Sequence, residues 1–185
     1  MLKKLKYDFY QIGEKVEKVI VAIHGWKGDS LSMKPIIKSL KISNVACYFP
    51  EAPYKVLNDV GWSWSYQISG GEWEVDEPTQ ILQMFFNELF KKYSSEKIYV
   101  VGFSQGGLIC FDFILLLEKP LGGVFPICGF LRDPKVDKVR LHPNQKKTPI
   151  LIGHGKSDDK VPVSASKNAY SLLNDLYRTV LTFSK

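Results

Sequence analysis

Five short runs of apolar, largely β-branched residues recur along the chain, at Val19–Ile23, Val45–Phe49, Ile98–Val101, Val124–Ile127 and Ile150–Ile152, each ending near Gly or Pro. Unbroken apolar runs, as opposed to alternating apolar and polar positions, mark strands buried on both faces. Between them, Ser32–Leu40, Pro78–Tyr93, Gln105–Leu117 and Val163–Tyr177 carry apolar residues at helical spacing. That alternation predicts an α/β fold with a mostly parallel sheet. Leu5–Ile12 predicts an antiparallel edge strand, and Thr179–Phe183 a last strand that ends two residues before Lys185. The long irregular regions Pro50–Glu77 and Arg132–Pro149 are expected to be loops over a site.

Composition narrows this without changing it. A chain of 185 residues, 45% hydrophobic and 24% charged, reads as one compact domain over residues 1–185 and excludes disorder, collagen and coiled coil. The net charge of +6 is spread over Lys3, Lys4, Lys6, Lys91, Lys92, Lys146 and Lys147 with no long basic run, so no nucleic-acid partner is expected. Cys47, Cys110 and Cys128 sit in apolar stretches without metal-ligand spacing and read as small buried hydrophobes. The N-terminal MLKKLKYDFY lacks the apolar core of a signal peptide, and Leu108–Leu117 is interrupted by Asp112. A cytoplasmic protein without stable membrane insertion is expected.

The candidate chemistry begins after the third long strand, at Gly102-Phe103-Ser104-Gln105-Gly106-Gly107, where a helix follows at once. This is G-x-S-x-G in its strand–turn–helix setting. The steric logic is that Ser104 must take a strained conformation to lift its hydroxyl out of the turn, while the flanking glycines let strand and helix approach. A capping serine in a tight turn is the plainer reading; the strand before, the helix after and the extra Gly107 favour a nucleophile. The first buried strand ends in His24-Gly25-Trp26-Lys27-Gly28, so the amides of Trp26 and Gln105 are candidates for an oxyanion hole. His24 reads as a structural imidazole bonded to local backbone. The strand Ile150–Ile152 leads into Gly153-His154-Gly155-Lys156-Ser157-Asp158-Asp159, where Asp158 fits a triad acid and Asp159 fits a helix cap.

Together these segments resemble the phospholipase/carboxylesterase family of α/β hydrolases, its acyl-protein thioesterase-like group, over nearly the whole chain from Val19 to Lys185. The Ser104 turn is similar to that family's nucleophile turn, His24–Asp29 to its oxyanion loop, and His154–Asp158 through Val161-Pro162 to its acid loop. Phe49-Pro50-Glu51-Ala52-Pro53 followed by Gly61-Trp62-Ser63-Trp64 is similar to its substrate loop. The resemblance implies an α/β-hydrolase three-layer sandwich with a mostly parallel sheet of about seven strands. It also implies a serine hydrolase of small carboxylic esters or thioesters that needs no cofactor and no metal. Carried over, Ser104 is the nucleophile, Asp158 the acid, and Trp26 and Gln105 the oxyanion donors.

One partner departs from the pattern. The family places its catalytic histidine just beyond the last strand, whereas His24, His142 and His154 all precede Asp158, so a C-terminal truncation is expected. Removing the histidine of such a system costs on the order of a million-fold in kcat; a preformed oxyanion hole retains roughly 10³–10⁴ over water. His142 reads as an exposed loop residue. Trp62, Trp64, Tyr66 and Trp73 are the candidate aromatic walls of a pocket, Phe130 and Leu131 a candidate apolar wall, and Glu72, Glu74, Asp76 and Glu77 a solvated helix start. The alternatives are a non-catalytic hydrolase-fold module that binds a small ligand or protein, and a peptidase. Oligomeric state is left open.

Overall fold

A computed structural model describes residues 4–57, 60–70, 72–133, 135, 140–174 and 179–184, with backbone alone at 179–181. The strands are β1 (Tyr7–Ile12), β2 (Lys18–Ile23), β3 (Val45–Pro50), the two-residue pair β4 (Tyr54–Lys55) and β5 (Trp62–Ser63), then β6 (Ile98–Phe103), β7 (Gly123–Ile127), β8 (Ile150–Gly155) and β9 (Thr179–Ser184). The helices are α1 (Lys34–Ser39), α2 (Asp76–Lys92), α3 (Gln105–Asp112) and α4 (Val163–Asn174). Seven strands form one sheet in the order β1-β3-β2-β6-β7-β8-β9. All pairings are parallel except β1, which lies antiparallel on β3 at one edge. This is the expected α/β sandwich, edge strand included.

The long apolar runs form strands because both faces are covered. Along β2, Val19, Val21 and Ile23 pack into a core with α2, α3 and α4, while Ile20 and Ala22 face the opposite way against Met33 and Ile37 beside α1. Side chains on successive strand residues point to opposite faces, so an uninterrupted apolar run feeds two layers at once. Helix α2 carries the largest share of the first layer through Ile81, Leu82, Phe85, Phe86 and Leu89.

Several element ends differ from expectation for local reasons. The helix expected over Gln105–Leu117 stops at Asp112: Phe113 leaves helical geometry (φ −131°, ψ −52°) and a single tight turn, Ile114–Leu116, follows. The helix expected from Ser32 starts at Lys34, with Pro35 in its first turn. The continuation expected to Tyr177 lies outside the described residues. Within Pro50–Glu77 the chain makes the β4–β5 ribbon, and within Arg132–Pro149 a short 3₁₀ turn at Pro143–Lys147.

Strand order reverses direction between β3 and β6, on either side of β2. In open parallel sheets the crevice at such a reversal, outside the carboxyl ends of the strands, is where ligands bind. The carboxyl ends of β2 and β6 here deliver His24 and Ser104 to one edge of the sheet.

Phe86 is fully buried, with its ring 5.6 Å from Phe85, 5.9 Å from Phe90 and 6.0 Å from Phe113. Phe86→Ala should cost about 3–5 kcal/mol, read as a lowered urea midpoint with an unchanged denaturant slope.

Candidate active site

Ser104 stands between β6 and α3 with φ 53° and ψ −110°, a left-handed conformation that side-chain-bearing residues rarely adopt. Such strain costs of order 1–3 kcal/mol and persists only where the surroundings over-determine it. They do so here. The Ser104 N–H donates to Ile127 O at 2.8 Å and its carbonyl accepts from Leu108 N–H at 3.0 Å. A Cβ on Gly102 would lie 2.1 Å from Gly106 O, and one on Gly106 would lie 2.2 Å from Ile23 O. The first turn of α3 therefore rests directly on the backbone of β6 and β2, and no larger residue fits at either glycine.

The loop leaving β2 passes beside the serine: a Cβ on Gly25 would sit 3.3 Å from Ser104 Cβ. Its course is fixed by Lys27 N–H donating to Trp62 O at 3.0 Å and Trp62 N–H donating to Gly28 O at 2.8 Å. Neither the Trp26 nor the Gln105 N–H has an acceptor among the described residues. The Gln105 amide opens α3, where the first-turn donors have no intrahelical partner.

Behind this turn lies a buried polar clamp. Gln105 Oε1 accepts from Trp64 N–H at 3.0 Å, and its Nε2 donates to Ser63 Oγ at 3.0 Å and Ser65 Oγ at 3.3 Å. The Trp64 indole N–H donates to His24 O at 2.9 Å. His24 is fully buried: its Nδ1–H donates to Gly25 O at 2.6 Å and its Nε2 accepts from Ala52 N–H at 3.1 Å. Those bonds define a neutral ring, and burial pushes its pKa below the ordinary value against the weaker upward pulls of Gly25 and Asp29.

The acid loop follows β8. Asp158 Oδ1 accepts from the N–H groups of Lys160 at 2.9 Å and Val161 at 3.0 Å, which hold its carboxyl below the usual carboxylate range. Asp159 is exposed, its carboxylate 3.3 Å from the ammonium of its neighbour Lys160. His154 is buried, with Nδ1 2.7 Å from Ser166 Oγ and Nε2 2.9 Å from Val161 O. A ring nitrogen of His154, an Asp158 carboxylate oxygen and Cys128 Sγ lie within 4.8 Å of one another. His142 is half-buried and accepts from Asn144 N–H at 3.3 Å at the start of the 3₁₀ turn.

Ser104 opens on a cavity of about 910 Å³ walled by Trp26, Tyr54, Leu57, Tyr66, Trp73 and Phe130, with Gln105 and Val161 at its floor and rim. This is within the range of small-molecule sites. None of the three histidines lines it. A second hollow of about 980 Å³ runs along α2 between Lys4, Tyr48 and Lys92 and is lined by no serine, cysteine or histidine among the described residues.

Three expected walls are corrected. Trp64 is buried against His24, ring centroids 5.3 Å apart, and Trp62 pairs with Gly28 and packs on the core; neither reaches the cavity. The reason is register: β5 turns Ser63, not its tryptophan, toward Gln105, and Trp64 is drawn inward by its indole bond. Leu131 also faces away, toward hollows beside Arg132, whereas Phe130 does line the cavity. Tyr66 and Trp73 line the cavity as expected, joined by Tyr54. The Gln105 side-chain clamp has no signature in the sequence, because its partners lie about 40 residues upstream.

The family model described as phospholipase/carboxylesterase matches residues 10–184. The carboxylesterase SOBER1 of Arabidopsis thaliana is 27% identical over 173 residues, covering 84% of this chain and 75% of that protein. Acyl-protein thioesterase 1 of Candida albicans is 26% identical over 185 residues, covering 89% and 80%. Among solved structures, esterase PE8 superposes with a TM-score of 0.81 at 22% identity, over 98% of this chain and 89% of that one.

Gln105→Ala removes the acceptor of Trp64 N–H and the partner of two hydroxyls; it should cost about 1–3 kcal/mol per orphaned group, measured by urea unfolding. For His24 the sign is fixed by its depressed folded pKa. The stability it contributes is complete above the unfolded value near 6.5 and is lost as pH falls below it. The urea midpoint should drop between pH 7.5 and pH 5, and a His24→Gln variant should show a shallower drop.

Proposed function

We propose that this chain, which belongs to the phospholipase/carboxylesterase family, carries the acyl-transfer site of a serine hydrolase acting on small carboxylic esters or thioesters. The observation that carries the proposal is Ser104: a strained residue whose side chain opens on an apolar-walled cavity beside two amides that have no acceptor among the described residues. In this reading Ser104 Oγ attacks the acyl carbon, and the Trp26 and Gln105 N–H groups donate to the oxygen as it becomes negative. Each such donor contributes a few kcal/mol in the transition state. The alcohol or thiol leaves with a proton, and water then attacks the acyl-serine to release the acid. The aromatic and aliphatic walls Tyr54, Leu57, Tyr66 and Phe130 favour an apolar acyl or alcohol group over a charged one.

Two proton transfers need a base at Ser104, and Asp158 is the proposed carboxylate that would orient it. His24 is committed to backbone, His154 lies within the acid loop, and His142 bonds its own turn. With no imidazole facing the cavity, residues 1–185 are proposed to bind and acylate slowly. The rival is a non-catalytic module using the same cavity as a binding site, in which Ser104 has no chemical role.

Hydrolysis of p-nitrophenyl butyrate separates the two. Under the proposal a slow rate above the protein-free control is abolished by Ser104→Ala, and added imidazole raises the rate above an imidazole-matched control for the wild-type chain but not for the variant. A rate identical in the two proteins, with and without imidazole, would sink the enzymatic reading. An amide substrate cleaved in preference to the ester would indicate a peptidase instead.

A further inference from the structure

The hollow along α2 is divided into an apolar floor and a cationic rim. Leu5, Tyr48, Phe85 and Leu89 are buried against its floor, while Tyr7 and Met84 are exposed along it. Its charged lining is one-sided: four lysines, Lys4, Lys91, Lys92 and Lys119, stand against the single carboxylate of Glu88. That carboxylate is already engaged. It accepts from Lys91 Nζ at 2.7 Å, a bond that holds it below the usual carboxylate range, with a weaker pull from Lys4. Lys92 and Lys119 have no carboxylate partner among the described residues. Their ammonium groups rest on aromatic rings instead, Lys119 5.3 Å from the centroid of Phe90, and Lys92 5.0 Å and 5.8 Å from those of Tyr93 and Phe9. A ring attracts a cation through its quadrupole but leaves the net charge uncancelled.

The hydrogen bonding around Lys92 supplies a second, independent observation. Lys92 Nζ donates to Tyr48 Oη at 3.4 Å, and Tyr48 Oη lies 3.1 Å from Tyr93 Oη. Two phenols joined by one bond use one hydrogen between them, so whichever of them donates, the other hydrogen has no acceptor among the described residues. Burial pushes the Tyr48 phenol up to about 12, so it stays neutral and offers no charge to balance Lys92. An ammonium and a phenol hydrogen thus meet here without an acceptor, and a carboxylate is the group that takes charge-assisted bonds from both. The carbonyl end of α2 lies nearby and opposes an anion; the surplus of lysine over glutamate around the hollow outweighs it.

We propose that the α2 hollow binds a long-chain carboxylate, with the chain on Leu5, Met84, Phe85 and Leu89 and the head group at Lys92 and the Tyr48–Tyr93 pair. The two parts of such a ligand match the two parts of the hollow: the alkyl chain leaves water for the apolar floor, and the carboxylate answers the donors. A neutral lipid would leave those donors unanswered, and a small inorganic anion would leave the floor bare. The hollow shares no lining residue with the Ser104 cavity, and its volume of about 980 Å³ falls within the range of small-molecule sites. Binding here does not rest on the hydrolase reading.

Isothermal titration of the whole chain with laurate, kept below its micelle concentration, provides the test. The expected result is an equivalent of laurate whose affinity falls at least tenfold in Lys92→Gln and in Met84→Glu, recovers in Lys92→Arg, and is unchanged in Phe130→Glu at the Ser104 cavity. Dodecanol should bind at least tenfold more weakly than laurate. Lys97→Gln, which removes an exposed lysine outside the hollow, should change nothing. Met84 and Lys92 are exposed on α2, so their variants should keep the fold, as unchanged urea midpoints would verify. Absence of laurate binding overturns the site, as does a loss confined to Phe130→Glu, which would place the ligand in the Ser104 cavity. Equal weakening in Lys97→Gln and Lys92→Gln, or dodecanol binding as tightly as laurate, overturns it too. So does association with anionic lipid vesicles and none with dispersed laurate, which would make the lysines a membrane-facing surface instead.

Discussion

The first turn of α3 rests on bare backbone. Gly106 lies against the carbonyl of Ile23 and Gly102 against the carbonyl of Gly106, at separations that leave no space for a single methyl group. Three elements are thereby locked at van der Waals contact through main-chain atoms, which unlike side chains have no rotamers to adjust. The strained Ser104 is tolerable because this contact, with the bonds to Ile127 and Leu108, leaves it no alternative conformation. Everything else about the candidate site follows from it: the β2 loop must pass within one atom's width of the serine, and the sheet edge is where the cavity opens.

Behind that contact, polar groups are buried only where they are mutually satisfied. Gln105 joins Ser63, Trp64 and Ser65 to the start of α3, and Trp64 and His24 join them to the end of β2. Buried donors and acceptors without partners would cost about 1–3 kcal/mol each. Ringed as they are, they instead fix the β4–β5 ribbon over the site. The cavity thus has a rigid floor of backbone and amide bonds, and a looser outer rim of Leu57, Tyr66 and Trp73, all substantially exposed.

The sheet was legible in the sequence because both its faces are covered. Strands such as β2 and β3 are buried along nearly their whole length, and a short unbroken apolar run rich in β-branched residues is the direct imprint of that burial. The strained strand–turn–helix bend at Ser104 was legible because steric exclusion demands glycine at fixed offsets from the serine. Helix ends were less so. The break at Phe113 comes from tertiary packing of Phe113 against Phe86, which no local signal at Gln105–Leu117 announces. The pocket walls were legible only in part for a related reason: aromatic content marks a region, but the register of a two-residue strand decides which ring points where, and it sent Trp62 and Trp64 inward while Tyr66 and Trp73 line the cavity. The meeting of Cys128, His154 and Asp158 is a property of strand order alone.

The left-handed backbone at residue 104 also restricts which hydroxyl can stand at the proposed nucleophile position. A residue branched at Cβ is a severe outlier at positive φ, so threonine, although it offers the same hydroxyl, is sterically barred from this position. The main chain, set by two neighbouring glycines, has in effect chosen a primary alcohol over a secondary one. Any descendant of this chain that exchanged serine for threonine would have to rebuild the bend first.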